Sequence, residues 1–273
     1  MSDGAAIIGL SEWLQTPAGR YLLDWEQQHV DMAVADVFGF HALQLGLPQL
    51  DALRANRMPH RWLGLDRAAP TAAAPNEPVT QAALPTPAAA VLCDFDALPF
   101  DSQSLDLVVL PHALELARDP HLTLREVERV LRPEGRVVIL GLNPSSLWGL
   151  RQRFGGLRRG VGSAQPASLF LPNSGEFIAY RRLRDWLHLL SFEVEAGRFG
   201  CYRPPASSEK WLGRFEWMER AGDRWWPVFG AVYSLTAVKR VRGMRLVGLA
   251  RAQRQSTKAT APAVAAQHKH RSE

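Results

Sequence analysis

The residues of this chain that could do chemistry gather in its middle. His112 and Glu115 stand three apart, a spacing at which a carboxylate can orient an imidazole acting as general base. The plainer alternatives are a histidine bonded to loop backbone and an exposed glutamate. Asp66 and Asp94 each close a short apolar run, and Gly46 closes the run that begins at His41. Asp66 follows Gly46 by 20 residues, the separation that a strand-helix-strand nucleoside unit places between its glycine turn and its ribose-binding acid. An ordinary loop carboxylate is the competing reading, and Asp94 or Asp96 could equally cap a turn before Leu98-Pro99. No metal is expected, because His112, His121 and Glu115 do not form a compact ligand pattern. Cys93 and Cys201, the two cysteines present, can supply neither a four-sulfur zinc site nor a disulfide framework.

The elements that must position these groups read as alternating strands and helices. Thr16-Pro17 is an N-cap with proline at the first helical position, and Leu22, Trp25, His29, Met32 and Val37 continue a stripe near helical spacing. Strands are expected at His41 to Gly46, His60 to Asp66, Ala90 to Asp94, Leu105 to Leu110 and Arg136 to Leu140. Asp119 and Pro120 open a helix whose apolar face is Leu124, Val127, Val130 and Leu131, with Pro133 to Gly135 as its stop. Leu105-Asp-Leu-Val-Val-Leu110 has the apolar density of a strand buried on both faces of a parallel sheet. The class is therefore α/β. Further on, Leu183, Trp186, Leu187 and Leu190 mark a second amphipathic helix before a strand at Phe192 to Ala196. Trp211, Leu212, Phe215 and Met218 mark a further amphipathic stretch and Val232 to Lys239 a last strand. Trp211, Trp217, Trp225 and Trp226 could favour a membrane surface, but their helical spacing suggests the core aromatics of a covering helix.

The segment from Val91 to Ile139 carries a family resemblance. Asp94, Leu98-Pro99-Phe100, Asp101 and Leu105-Asp106-Leu107 are followed by Arg129-Val130-Leu131-Arg132-Pro133-Glu134-Gly135. This order resembles class I S-adenosylmethionine-dependent methyltransferases of the type 11 kind, within a divergent proteobacterial group. The resemblance implies a Rossmann-like, doubly wound, mainly parallel seven-stranded sheet and S-adenosylmethionine as cofactor. It implies that Asp94 accepts from the adenine amino group, that Phe95 offers its amide to the ring, and that Leu98 lies against the base. Asp66 would hold the ribose hydroxyls. Gly46 would belong to the methionine cradle, with Pro111 among the cofactor contacts and His112 near the methyl group as candidate base. One departure stands out: where the family has Gly-x-Gly-x-Gly, this chain has Leu45-Gly46-Leu47-Pro48-Gln49, with one glycine and one proline that lacks an amide donor.

Three segments follow from composition: an N-terminal helical extension over 1–38, an α/β domain over 39–250 with an Ala/Pro-rich insertion at 67–89, and a basic tail over 251–273. Of the formal charge of +5, most sits on that tail, where Arg251, Arg254, Lys258, Lys269 and Arg271 face Glu273 alone. The excess is therefore weak grounds for a nucleic-acid partner, and none is expected. Arg151, Arg153, Arg158 and Arg159 form a basic loop that could attract an anionic acceptor or be merely solvated. Asp3 stands where a signal peptide is positive, and the uncharged run from Trp225 to Val238 is short and broken by Pro227. A cytoplasmic protein without a membrane span is expected. The functional expectation is methyl transfer to a small-molecule acceptor, against the alternative of a catalytically silent methyltransferase-like binding module. A nicotinamide oxidoreductase would need a Gly-x-Gly-x-x-Gly fingerprint that the chain lacks.

Overall fold

The computed structural model describes residue 10 and residues 13–67, 90–152, 171, 175–205 and 208–240. Residues 68–89 of the expected insertion, 153–159 of the basic loop and the whole expected tail lie outside the described residues.

Helix α1 (Pro17–Val34) starts where Thr16 accepts the Gly19 amide on its side-chain oxygen. Its buried face is Ala18, Leu22, Glu26, Val30 and Val34, a step of four throughout. The stripe expected from the sequence shares only Leu22 with this face, and Met32 points to solvent. The larger side chains suggested a phase that the small residues Ala18, Val30 and Val34 overrule.

Strands β1 (His41–Leu45), β2 (His60–Asp66), β3 (Ala90–Cys93), β4 (Leu105–Pro111), β5 (Leu131–Leu142), β6 (Phe192–Gly200) and β7 (Val232–Lys239) form one sheet in the order β3-β2-β1-β4-β5-β7-β6. The pairs from β3 through β5 are parallel, and β7 runs antiparallel to both of its neighbours. Order reverses between β1 and β4, the point at which open α/β sheets bind ligands beyond their strand ends. Short helix α2 (Ala113–Leu116) follows β4, α3 (Pro120–Val130) links β4 to β5, and α4 (Tyr180–Leu189) precedes β6.

The sheet is buried on both faces. Leu107 and Val109 of β4 join α1 in one core, whereas Val108 and Leu110 join Leu124, Val127 and Val130 of α3 and Leu183 and Leu187 of α4 in the other. Strand β5 begins earlier than the expected Arg136: Leu131 already pairs with Leu105, and the register then shifts. Glu134 takes up that irregularity at φ +66, so Pro133 to Gly135 bends a strand rather than only ending a helix.

The motif residues have structural duties here. Arg129 donates to the Leu98 and Phe100 carbonyls, and Glu126 accepts from the Leu98 amide, which fastens Leu98-Pro99-Phe100 to α3. The Asp106 carboxylate accepts the amides of Phe40 and His41 and pairs with Arg132, tying the start of β1 to β5. Burial pushes its pKa up, but those two amides and Arg132 outweigh it and hold the carboxyl below the usual range.

The covering helix expected after residue 208 is two short helices, α5 (Glu209–Arg214) and α6 (Trp217–Trp225). Leu212 is buried, but Trp211, Trp217, Trp225 and Trp226 are largely exposed, contrary to the expectation of core aromatics. A length of six residues and then nine, interrupted at Phe215, is too short to bring every aromatic to one face.

Candidate cofactor site

The end of β2 and the end of β3 lie side by side because their parallel register pairs Asp66 with Cys93. Asp66 and Asp94 are thus brought to the same sheet edge, where they line an open cleft of about 570 Å³ with Phe95 and Asp96. The opposite wall comes from α2 and the start of α3, through Glu115, Arg118 and Asp119, with Glu176 beyond. Asp119 also caps α3 by accepting the amides of His121 and Leu122.

The sequence-predicted residues divide into two groups. Asp66, Asp94 and Phe95 meet at the cleft. Gly46 stands behind the Phe95 ring: a Cβ built on it would lie 3.8 Å from that ring and from Ala113, and its φ is +78. Leu98 is not on the cleft wall but buried against α3, its amide used by Glu126. Pro111 ends β4 and is likewise covered.

His112 is the largest departure from expectation. It is 1% exposed, and each ring nitrogen faces a carboxylate: Nδ1 to Glu115 Oε2 and Nε2 to Glu26 Oε1, both at 2.8 Å. Both nitrogens are taken up by carboxyl partners, so neither is free to face an acceptor in the cleft. Burial opposes its charged form, but the two carboxylates prevail and raise its pKa well above the ordinary value. Glu115 also accepts the Leu142 amide, while its own carbonyl receives the Glu176 amide. One side chain therefore joins the ends of β4 and β5. Burial pushes the Glu115 carboxyl up despite those donors.

Two residues here were not singled out from sequence. Glu26 interrupts the apolar face of α1, and its four-residue step from Leu22 and Val30 was the available signal. Gln44, buried in β1, has its side-chain nitrogen against the carbonyls of Gly46, Leu47 and Leu50 and accepts the Ala52 amide on its oxygen. It organises the loop after β1, in which Leu47 also takes a positive φ of 41. A lone polar residue within a strand pattern carries no comparable signal.

Among the described residues no group of three His, Cys, Asp or Glu is placed to hold a metal, and no helix is long and apolar enough to cross a membrane. The donor set instead suits a nucleoside: two carboxylates at adjacent strand ends accept from amino and hydroxyl groups, and an aromatic ring lies beside them.

Known proteins share this fold. Residues 46–139 match the methyltransferase domain family model. An uncharacterized protein of Escherichia coli K12, YafS, is 45% identical over 103 residues, which span 37% of this chain and 39% of YafS. A malonyl-[acyl-carrier protein] O-methyltransferase of Laribacter hongkongensis is 41% identical over 69 residues, 25% of this chain and 23% of that enzyme. The chain thus matches well under half the length of these relatives. Among solved structures, the methyltransferase bound to the Haloferax volcanii Trm112 activator superposes with a TM-score of 0.56 at 18% identity, covering 88% of this chain and all of that one. An S-adenosylmethionine-dependent methyltransferase of Thermotoga maritima gives 0.52 at 12% identity, covering 82% and 91%. The sheet order is that of the Rossmann-like class I methyltransferase fold, and residues 46–139 match its methyltransferase domain, for which S-adenosylmethionine is the cofactor.

Proposed function

We propose that this chain transfers a methyl group from S-adenosylmethionine to a small organic acceptor. The meeting of Asp66, Asp94 and Phe95 at one cleft carries the reading. On it, Asp94 accepts from the adenine amino group, Asp66 holds the ribose hydroxyls, and Phe95 borders the base with Gly46 behind its ring. When bound, the cofactor supplies a methyl already activated on a sulfonium. The chain's own task is to fix donor and acceptor in line and to exclude water. His112 serves this as a positioning residue rather than a base, since both of its nitrogens are occupied. The Laribacter relative is named for O-methylation of a malonyl thioester, and a Chlamydia pneumoniae relative, 39% identical over 51 residues, for methylation of demethylmenaquinone. Both names favour an organic metabolite or carrier-bound acceptor over a nucleic acid.

Isothermal titration with S-adenosylmethionine and S-adenosylhomocysteine tests the reading. Binding that Asp94→Ala weakens by about 1–3 kcal/mol, with the fold intact, supports it. A folded protein that binds neither ligand overturns it in favour of a silent module.

A further inference from the structure

The cleft is lined by the acidic residues Asp66, Asp94, Asp96, Glu115, Asp119 and Glu176, with Arg118 the one basic residue on its wall. Most of these face water, where their fields are screened. Glu115 differs, being 5% exposed and backed by His112 and Glu26, which are 1% and 0% exposed. The charge of this trio follows from geometry. Each of its two 2.8 Å nitrogen-oxygen contacts needs one proton, and with no further proton on either carboxyl group the imidazole and the two carboxyl groups together carry a net charge of −1. The second oxygen of Glu26 is buried and has no hydrogen-bond partner. Cys201 and Tyr233, titratable groups near the trio, are kept protonated by burial, so neither adds charge. On that count the trio behind the cleft wall holds one negative charge more than its imidazole can offset, an arrangement that costs stability unless something else offsets it.

We propose that Glu26, which does not itself reach the cleft, sets the preference of the cleft for the charged methyl donor over its neutral demethylated product. The inference rests on the reading of the cleft as the S-adenosylmethionine site. A sulfonium cation gains from the unscreened charge of the trio, and the thioether left after methyl transfer does not. The N-terminal helix is then part of the cofactor machinery, with Glu26 acting through His112 and Glu115 as a specificity-determining residue.

The test is the ratio of S-adenosylmethionine to S-adenosylhomocysteine affinity, by isothermal titration. Glu26→Gln, which keeps shape and removes charge, should lower that ratio about three- to tenfold, whereas Glu26→Asp should hold it within about twofold. The wild-type ratio should persist between about 0.05 and 0.5 M salt, because a buried charge is little screened. Equal weakening of both ligands in Glu26→Gln would reduce the residue to a structural tie and overturn the proposal. Collapse of the wild-type ratio at high salt would assign the effect to the exposed aspartates, and would decide the question even if Glu26→Gln does not fold. Failure of the folded wild type to bind either ligand would remove the cofactor reading itself and this inference with it.

Discussion

Replacing Gln44 by leucine tests whether one buried amide holds the loop after β1. Its nitrogen has two hydrogens facing the carbonyls of Gly46, Leu47 and Leu50 at 3.2, 3.0 and 2.7 Å, and its oxygen receives the Ala52 amide at 2.9 Å. Leucine fills similar space but leaves the Ala52 N–H and the Leu50 carbonyl without partners, next to side chains that are fully buried. Each stranded buried group costs about 1–3 kcal/mol, so a total near 3 kcal/mol is expected. At roughly 2–4 °C per kcal/mol for a domain of this size, the melting temperature should fall by about 6–12 °C. Thermal and urea denaturation followed by circular dichroism measure this directly. Titration with S-adenosylhomocysteine should show a fall in affinity beyond about tenfold as Gly46 loses its setting. A melting temperature within about 2 °C of wild type would refute the staple, and unchanged affinity would separate the loop from the cofactor.

Three further expectations rest on individual residues. Asp106→Asn should cost about 1–3 kcal/mol at neutral pH, because one carboxylate serves two amides and Arg132. Since its folded pKa is depressed, that contribution is present above the unfolded value and disappears as pH falls through the folded one, so the variant and wild type should converge in acid. Gly46→Ala should cost only about 1 kcal/mol, measured by urea denaturation, because a Cβ there meets nothing closer than 3.8 Å and the strain is that of φ +78 alone. His112, whose folded pKa is raised, gives stability that is complete below its unfolded value of about 6.5. That stability is lost as pH rises toward the folded pKa, at up to about 1.4 kcal/mol per unit. Urea midpoints from pH 6.5 upward should therefore decline in wild type and stay flatter in His112→Gln; parallel curves would contradict the charged trio.

The parallel strands were legible because β4 and β5 are buried on both faces and so read as nearly unbroken runs of Val and Leu. Helix starts were legible where chemistry marks them, at Thr16-Pro17 and Asp119-Pro120. Phase was harder. On α1 the bulky Trp25 and Met32 pulled the expected stripe away from the face that Ala18, Val30 and Val34 form, and Glu26 was hidden by the assumption that a charged residue faces water. The exposed tryptophans of α5 and α6 misled for the same reason: size alone does not say which side of a short helix is covered. At the site, Asp66, Asp94 and Phe95 follow from strand ends, which sequence marks well. His112 was found but misread, since its partner Glu26 lies 86 positions away and only the fold brings the two together.

The same logic reframes the sparse glycine loop. Repeated glycines let a backbone approach a ligand by deleting Cβ atoms, and their conformational freedom must then be ordered by the ligand itself. Here Gly46 alone takes the open conformation, while Leu47 adopts positive φ with its side chain buried in the α1 core. Pro48 restricts the next turn, and Gln44 gathers the carbonyls of Gly46, Leu47 and Leu50. The loop is therefore ordered before any ligand arrives. What it gives up is amide donors, so on the proposed reading the hold on a nucleoside cofactor would rest on the carboxylates at the ends of β2 and β3. If the proposed reading holds, the missing motif glycines relocate the binding burden rather than abolish the cradle, which makes Asp66, Asp94 and Glu26 the positions where it is most exposed to test.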